Sequence, residues 1–325
     1  MPSVSIIIPT YHRPDDLGRC IQSILQQTRL PEELLIIDDG ALEQVPLQPA
    51  CEQAGIRVVY HRKNSPGLTA SRNVGIDLSQ GDIIFFLDDD VVLYPEYVAA
   101  ILEVYDQQGG ADLGGVGGVI NNHKPLTVTR RLRHLFDVFF LASSFREGTV
   151  LASGFCTDYG TSGQQITQTQ PVDFLPGGVS SFPRRIFEKH RFSEKYKGYG
   201  LGEDKDFTFR VARDNNRLLI TPHARLDHFH SGQMRYDKRR MGRESILARY
   251  LFFRDFLDTG PRSRLPFWYA ISGYLLARIL ILILSGFRHG EAGRVAGMFG
   301  GVLEVLKGRA PAPGETAPAP KKERP

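Results

Sequence analysis

The first 232 residues predict an α/β domain built on a mostly parallel sheet flanked by helices. Short β-branched runs recur at Val4 to Ile8, Leu34 to Ile37, Val58 to Tyr60 and Ile83 to Leu87. Helical periodicity fills the gaps between them, which is the pattern of crossover connections between parallel strands. The runs also end in polar or acidic residues, and open α/β sheets bind ligands at the carboxyl ends of their strands.

The elements follow in order. After the first run, Asp15 or Asp16 can cap a helix whose apolar positions Leu17, Cys20, Ile21, Ile24 and Leu25 recur at three and four residues. Gly67 to Leu78 and Pro95 to Tyr105 read as further helices. The Gly- and Val-rich segment Asp112 to Asn121 reads as a strand closing a 1–121 half. From Asn122 to Gln170 there is little period, so loops and irregular strands are expected at the start of a 122–232 half. Pro183 stands at a helix start, a helix runs from about Glu203 to Arg213, and strands follow near Leu218 to Ile220 and Arg225 to Phe229.

Composition excludes several classes. A chain of 325 residues buries a core without staples, and Cys20, Cys51 and Cys156 form neither a CxxC pair nor a His-flanked cluster, so no disulfide framework or thiolate zinc site is expected. A net charge of +4 does not call for nucleic acid. Met1-Pro2-Ser3 runs directly into a β-branched strand, so no signal peptide is expected. Arg309 to Pro325 is Pro, Ala, Glu and Lys, the composition of a disordered tail.

Three clusters carry chemistry. The run Ile83 to Leu87 ends in Asp88-Asp89-Asp90, and strand alternation points Asp88 and Asp90 the same way, an arrangement suited to a hard divalent cation that keeps substrate phosphates as its other ligands. The first two strands end in Pro9-Thr10-Tyr11-His12-Arg13 and Asp38-Asp39-Gly40. Tyr11 offers a stacking face, Asp39 an acceptor for a ring N–H, and Thr10 and Arg13 offer donors to ribose or phosphate. Downstream, Gly198-Tyr199-Gly200-Leu201-Gly202-Glu203-Asp204 sets a carboxylate pair at the start of a helix.

In this order the motifs resemble the family-2 nucleotide-sugar glycosyltransferases of GT-A fold, from about Ser3 to His230. SIIIPTYHR is similar to that family's opening strand and nucleotide loop, PEELLIIDDG to its base-binding strand, GLTASRNVG to its phosphate-side helix, and Asp88 to Asp90 to its DxD metal motif. The resemblance implies that 1–121 binds the donor and 122–232 the acceptor. Pro9 and Tyr11 would flank the base, Asp39 would contact its edge, and Arg72 and Asp89 would lie near the donor. Asp88 would contact the ribose and share the Mg²⁺ or Mn²⁺ with Asp90 and His228. It also implies Asp204 as catalytic base with Glu203 as its orienting neighbour, and Gly177-Gly178 as a place where sugar or acceptor approaches the backbone. Lys63 and Asn64 look too exposed to assign. The implied reaction is inverting transfer from a nucleotide-diphosphate sugar to a hydroxyl of a glycan or lipid-linked acceptor, in cell-surface polysaccharide or glycolipid synthesis. Gln233-Met234-Arg235-Tyr236 does not match the Gln-x-x-Arg-Trp string of processive members, so single additions are expected. A nucleotidyltransferase would want a Gly-rich basic loop where Pro9-Thr10-Tyr11 stands, and a silent scaffold would not need Asp88, Asp90 and Asp204.

Residues 233–308 form the expected helical appendage. Arg235 to about Asp258 is helical and basic, suited to anionic headgroups or an acidic polyprenyl-diphosphate acceptor. Leu265 to Gly286 is long enough to cross a bilayer, but Arg278 interrupts it. A polar residue inside an apolar run of this kind suits a helix lying in the interface. A hairpin over Leu265 to Leu306 buried against a second subunit is a further arrangement the pattern allows. The expected location is the cytoplasmic face of the plasma membrane, attached through 265–307.

Overall fold

The computed structural model describes residues 2–123, 127–163, 165–196, 200–229, 237–287 and 289–310. Gly198, Tyr199, His230, Gln233 to Tyr236, Arg288 and the tail beyond residue 310 lie outside the described residues.

The first half alternates as expected: β1 (Val4–Thr10), α1 (Pro14–Leu25), β2 (Glu33–Asp38), a short α2 (Gln48–Gln53), β3 (Arg57–Arg62), α3 (Leu68–Leu78) and β4 (Ile83–Leu87). β1 pairs in parallel with both β2 and β4, and β2 with β3. Continuous apolar runs suit these strands because both sheet faces are covered. Ile6 and Ile8 face a core with Leu17, Ile21 and Ile24 of α1. Ile7 and Ile37 face the opposite core with Ile76 of α3.

The second half is mixed. After β5 (Val91–Leu93), α4 (Tyr97–Gln108), β6 (Leu113–Ile120) and α5 (Val128–Phe139) come β7 (Gln170–Val172), β8 (Val179–Pro183), a 3-10 turn over Arg184–Glu188, α6 (Glu203–Arg213) and β9 (Arg217–His228). The sheet runs β3-β2-β1-β4-β8-β6-β9-β5, with β7 also on β9. β8 is antiparallel to β4 and β6, β5 and β7 are antiparallel to β9, and β6 is parallel to β9. Parallel order therefore holds in the first four strands and gives way where β8 enters. The two strands expected near Leu218 and Arg225 are one continuous β9, and Pro183 ends a strand and leads into a 3-10 turn.

An aromatic cluster anchors α6 to the sheet. Phe207 stacks on Phe192 with centroids 4.2 Å apart and meets Phe182 edge-on at 5.1 Å. Burial of each ring stabilises by roughly 1.5–3 kcal/mol, which fixes the start of α6 over the carboxyl end of β4.

The appendage is α7 (Lys238–Phe256), α8 (Pro261–Leu284) and α9 (His289–Leu306). α9 seats on α7 of the same chain at backbone contact: a Cβ on Gly242 would stand 2.0 Å from the Arg294 carbonyl oxygen, and one on Gly297 1.8 Å from that of Arg239. α8 is the one described helix long and apolar enough to cross a membrane. It leans on α5 where Gly273 admits the Phe140 ring, 2.2 Å from where a Cβ would be.

Candidate active site

The carboxyl ends of β1, β2 and β4 bring the expected residues to one edge, but most are engaged with each other. Asp88 is a third exposed, and one oxygen lies 3.4 Å from an Arg72 nitrogen. Arg72 is buried, pairs with Glu203 through its other terminal nitrogen, and sits 5.2 Å over the Phe192 ring. Glu203 thus fixes Arg72 and, through it, Asp88. Expected to orient Asp204, Glu203 instead has Arg72 as its hydrogen-bond and ion-pair partner among the described residues. Burial pushes the Glu203 carboxyl up, Arg72 opposes this, and Asp204 and Asp88 reinforce it, leaving it at about 8.

Asp89 is buried and held inside the protein. Thr10 Oγ1 donates to it at 2.8 Å and Arg13 Nη1 at 3.0 Å. Thr10 and Arg13, the expected donors to ribose or phosphate, both bond the acidic run. Burial raises the Asp89 pKa to about 6 against the opposing Thr10 bond and Arg13 charge.

Asp90 meets His228 because β5 pairs with β9, placing Val91 opposite His228, and the Phe229 N–H donates to the Asp90 carbonyl at 2.8 Å. His228 Nε2 lies 2.9 Å from Asp90 Oδ1. Burial opposes protonation there, yet the Asp90 bond and the neighbouring aspartates hold the imidazole above its ordinary pKa. One donor atom each from Asp88, Asp90 and His228 lies within 4.8 Å of the others. Two carboxylates and an imidazole at that separation fit a small divalent cation.

Asp204 stands at the first turn of α6, half-buried, its oxygens accepting from the Gly177 N–H at 3.3 Å and the Lys205 N–H at 2.9 Å. Gly178 lies against the Asp88 carboxylate. A Cβ there would fall 2.1 Å from Asp88 Oδ2, so the missing side chain makes room for the metal-side carboxylate.

On the β2 side, Asp39 accepts from the Gly67 N–H and Ser71 Oγ, each at 2.8 Å, and pairs with Lys63 at 3.0 Å. Lys63 is almost fully buried and also donates to Ser71 Oγ at 2.7 Å. Its exposed-looking context hid this, because the partner acid is on another strand. Asp39 therefore braces the loop leading into α3, with one lone pair on Oδ2 left to accept a further N–H. Pro9 is buried within β1, and Tyr11 is half-buried just past its end, edge-on to His12.

Residues 5–191 match the model of glycosyl transferase family 2. An uncharacterized glycosyltransferase of Haemophilus influenzae is 36% identical over 104 residues, 32% of this chain and 35% of that protein. The poly(ribitol-phosphate) beta-N-acetylglucosaminyltransferase TarP of Staphylococcus aureus is 34% identical over 117 residues, covering 35% of this chain and 36% of that protein. The chain spans well under half the length of these curated relatives. A mannosyltransferase from Pyrobaculum calidifontis, solved with GDP-Man and Mn2+, superposes with a TM-score of 0.53 over 94% of this chain and 87% of that one at 14% identity, a likeness of GT-A fold. With the family model covering more than half of its sequence, the chain belongs to glycosyl transferase family 2.

Proposed function

We propose that this protein transfers single sugars, with inversion, from a nucleotide-diphosphate donor to an acceptor hydroxyl. The observation that carries the reading is the convergence of Asp88, Asp90 and His228 at one edge of the sheet, with Asp204 beside them on the Gly177 N–H. A divalent cation held by the first three would neutralise charge on the departing diphosphate. Asp204 accepts the proton of the acceptor hydroxyl as its oxygen bonds to the anomeric carbon. The bond from that carbon to the diphosphate oxygen breaks on the opposite face, and the nucleoside diphosphate leaves. Arg72, locked by Glu203, keeps Asp88 in place. Tyr11 and Asp39 contribute to the nucleobase end, and the Thr10–Arg13–Asp89 bonds hold the loop that carries Tyr11.

Three exposed apolar stripes support attachment to the inner face of the plasma membrane. They are Val128, Leu132, Leu135 and Phe139 on α5; Leu265, Leu276, Leu280 and Ile283 on α8; and Phe299, Leu303 and Leu306 on α9. Contiguous exposed apolar surface of this kind marks an interaction site. The other face of α8 packs on protein, which supports a helix lying in the interface.

The test is transfer from a panel of nucleotide sugars with Mn²⁺, measured as released nucleoside diphosphate. Asp204→Asn should lower turnover by about 10²- to 10⁴-fold, the usual worth of a general base, while nucleoside-diphosphate binding stays intact. Unchanged turnover, or a product that keeps the donor's anomeric configuration, would contradict the reading.

A further inference from the structure

A cavity of about 1020 Å³ runs from His228 and Gly202, at the reaction centre, to the C-terminal helices. Its wall is cationic. Arg130, Arg133, Lys205, Arg249, Arg278 and Arg294 line it, against the carboxylates Asp137 and Asp158. Those two acids pair with Arg133 and Lys205. Arg249, Arg278 and Arg294 have no carboxylate within ion-pair distance among the described residues. Arg249 gives one bond to the Ser245 carbonyl and lies 4.4 Å over the Tyr274 ring, with Arg278 5.8 Å from that ring. The Nε atoms of Arg278 and Arg294 and Nε2 of His134 are buried without a hydrogen-bond partner, and all three residues line this cavity. A buried guanidinium N–H left unpaired is costly, so the Nε atoms of Arg278 and Arg294 are expected where an anion completes the site. The field also registers on Tyr274. Burial alone would raise its phenol, but Arg249, Arg278, a bond with Ser245 and Arg294 bring it down to about 7.

The cavity is walled in part by α5 and α8, the helices that carry the apolar stripes. Guanidinium groups match phosphate geometry, and a long hydrocarbon chain matches the stripes. We propose that this cavity is the acceptor subsite and takes the phosphate or diphosphate of a lipid-linked acceptor. The polar head points toward Asp204 and the chain lies along α5 and α8 in the membrane interface. The proposal rests on the glycosyltransferase reading above and adds the class of acceptor. Bulk anionic lipid fits less well, since these arginines line an internal cavity that leads to the catalytic edge.

The test is calorimetric titration of the full chain in EDTA, which removes metal-dependent donor binding, with farnesyl diphosphate, farnesol, inorganic pyrophosphate and phosphatidylglycerol vesicles. Farnesyl diphosphate should bind more tightly than pyrophosphate or farnesol. Arg278→Gln with Arg294→Gln should weaken it by about 10- to 100-fold, the range for losing one or two charge-assisted hydrogen bonds. The paired Lys substitutions should restore part of the loss. Nucleoside-diphosphate binding with Mn²⁺, measured on the same variants, should be unchanged, which reports folding and separates this subsite from the donor site. Three results would overturn the proposal: farnesyl diphosphate binding insensitive to both substitutions, pyrophosphate binding as tightly as its farnesyl ester, or vesicle binding that falls in parallel and accounts for the whole effect. Failure of metal-dependent nucleotide binding in the unmodified protein would instead count against the glycosyltransferase reading.

Discussion

Gly178→Ala perturbs the candidate metal site without replacing a ligand. Gly178 does not have a positive φ, so alanine is tolerated by the backbone. The added methyl carbon would stand 2.1 Å from Asp88 Oδ2 and 2.2 Å from its Cγ. Ordinary contact needs well over 3 Å, so one group must move by about an ångström. The mobile one is Asp88, a third exposed and held by a single long contact to Arg72. Swinging it into solvent strains little, so thermal stability should fall by no more than about 1 kcal/mol. The cost falls on the ion, because displaced supporting geometry typically weakens metal affinity about 10- to 100-fold. The assay is Mn²⁺ dependence of donor turnover. The half-saturating Mn²⁺ concentration should rise by that factor, with activity partly recovered at high Mn²⁺. An unchanged Mn²⁺ requirement in a folded variant would refute the placement of Asp88 over Gly178.

Two further outcomes follow from the same geometry. Glu203 titrates higher folded than unfolded, so its contribution is full below its ordinary value of 4.5 and is lost as pH rises through about 8. Urea denaturation between pH 5 and 8.5 should show a decline that Glu203→Gln reduces, and an identical slope in the variant would reject a protonated, buried Glu203. On the apolar stripes, Leu280→Glu lies on exposed surface, so it should leave the melting temperature within a degree or two, weaken co-sedimentation with anionic vesicles, and preserve donor hydrolysis. Full vesicle binding by that variant would remove α8 from the membrane contact.

The strands and their acidic tips were legible because local sequence determines them. The β-branched runs match β1 to β4, and Asp88 to Asp90 follow β4 directly. What pairs with what was less accessible. Lys63 reads as an exposed loop lysine, yet Asp39 and Ser71 bury it. Glu203 and Asp204 look alike at a helix start, yet one is sealed against Arg72 and the other stays half-open on the Gly177 N–H. The meeting of His228 with Asp90 depends on β5, a three-residue strand that local patterning does not predict, pairing with distant β9. The mixed second half reflects β8 entering antiparallel between β4 and β6, a topological choice without a periodic signature. The cationic cavity was legible only in its basic α7 run and in Arg278, since its arginines come from four separate helices, α5, α7, α8 and α9, and Lys205 from α6, which only the tertiary fold brings together.

The account turns on whether Asp88, Asp90 and His228 hold an ion that in turn holds the donor's diphosphate. Calorimetric titration with UDP, GDP and related nucleoside diphosphates, in Mn²⁺ and in EDTA, on the unmodified protein and on Asp90→Asn, tests this directly. Binding of at least one diphosphate should need Mn²⁺ and vanish in Asp90→Asn. Equal binding in EDTA, or Mn²⁺-dependent binding that survives Asp90→Asn, would contradict it.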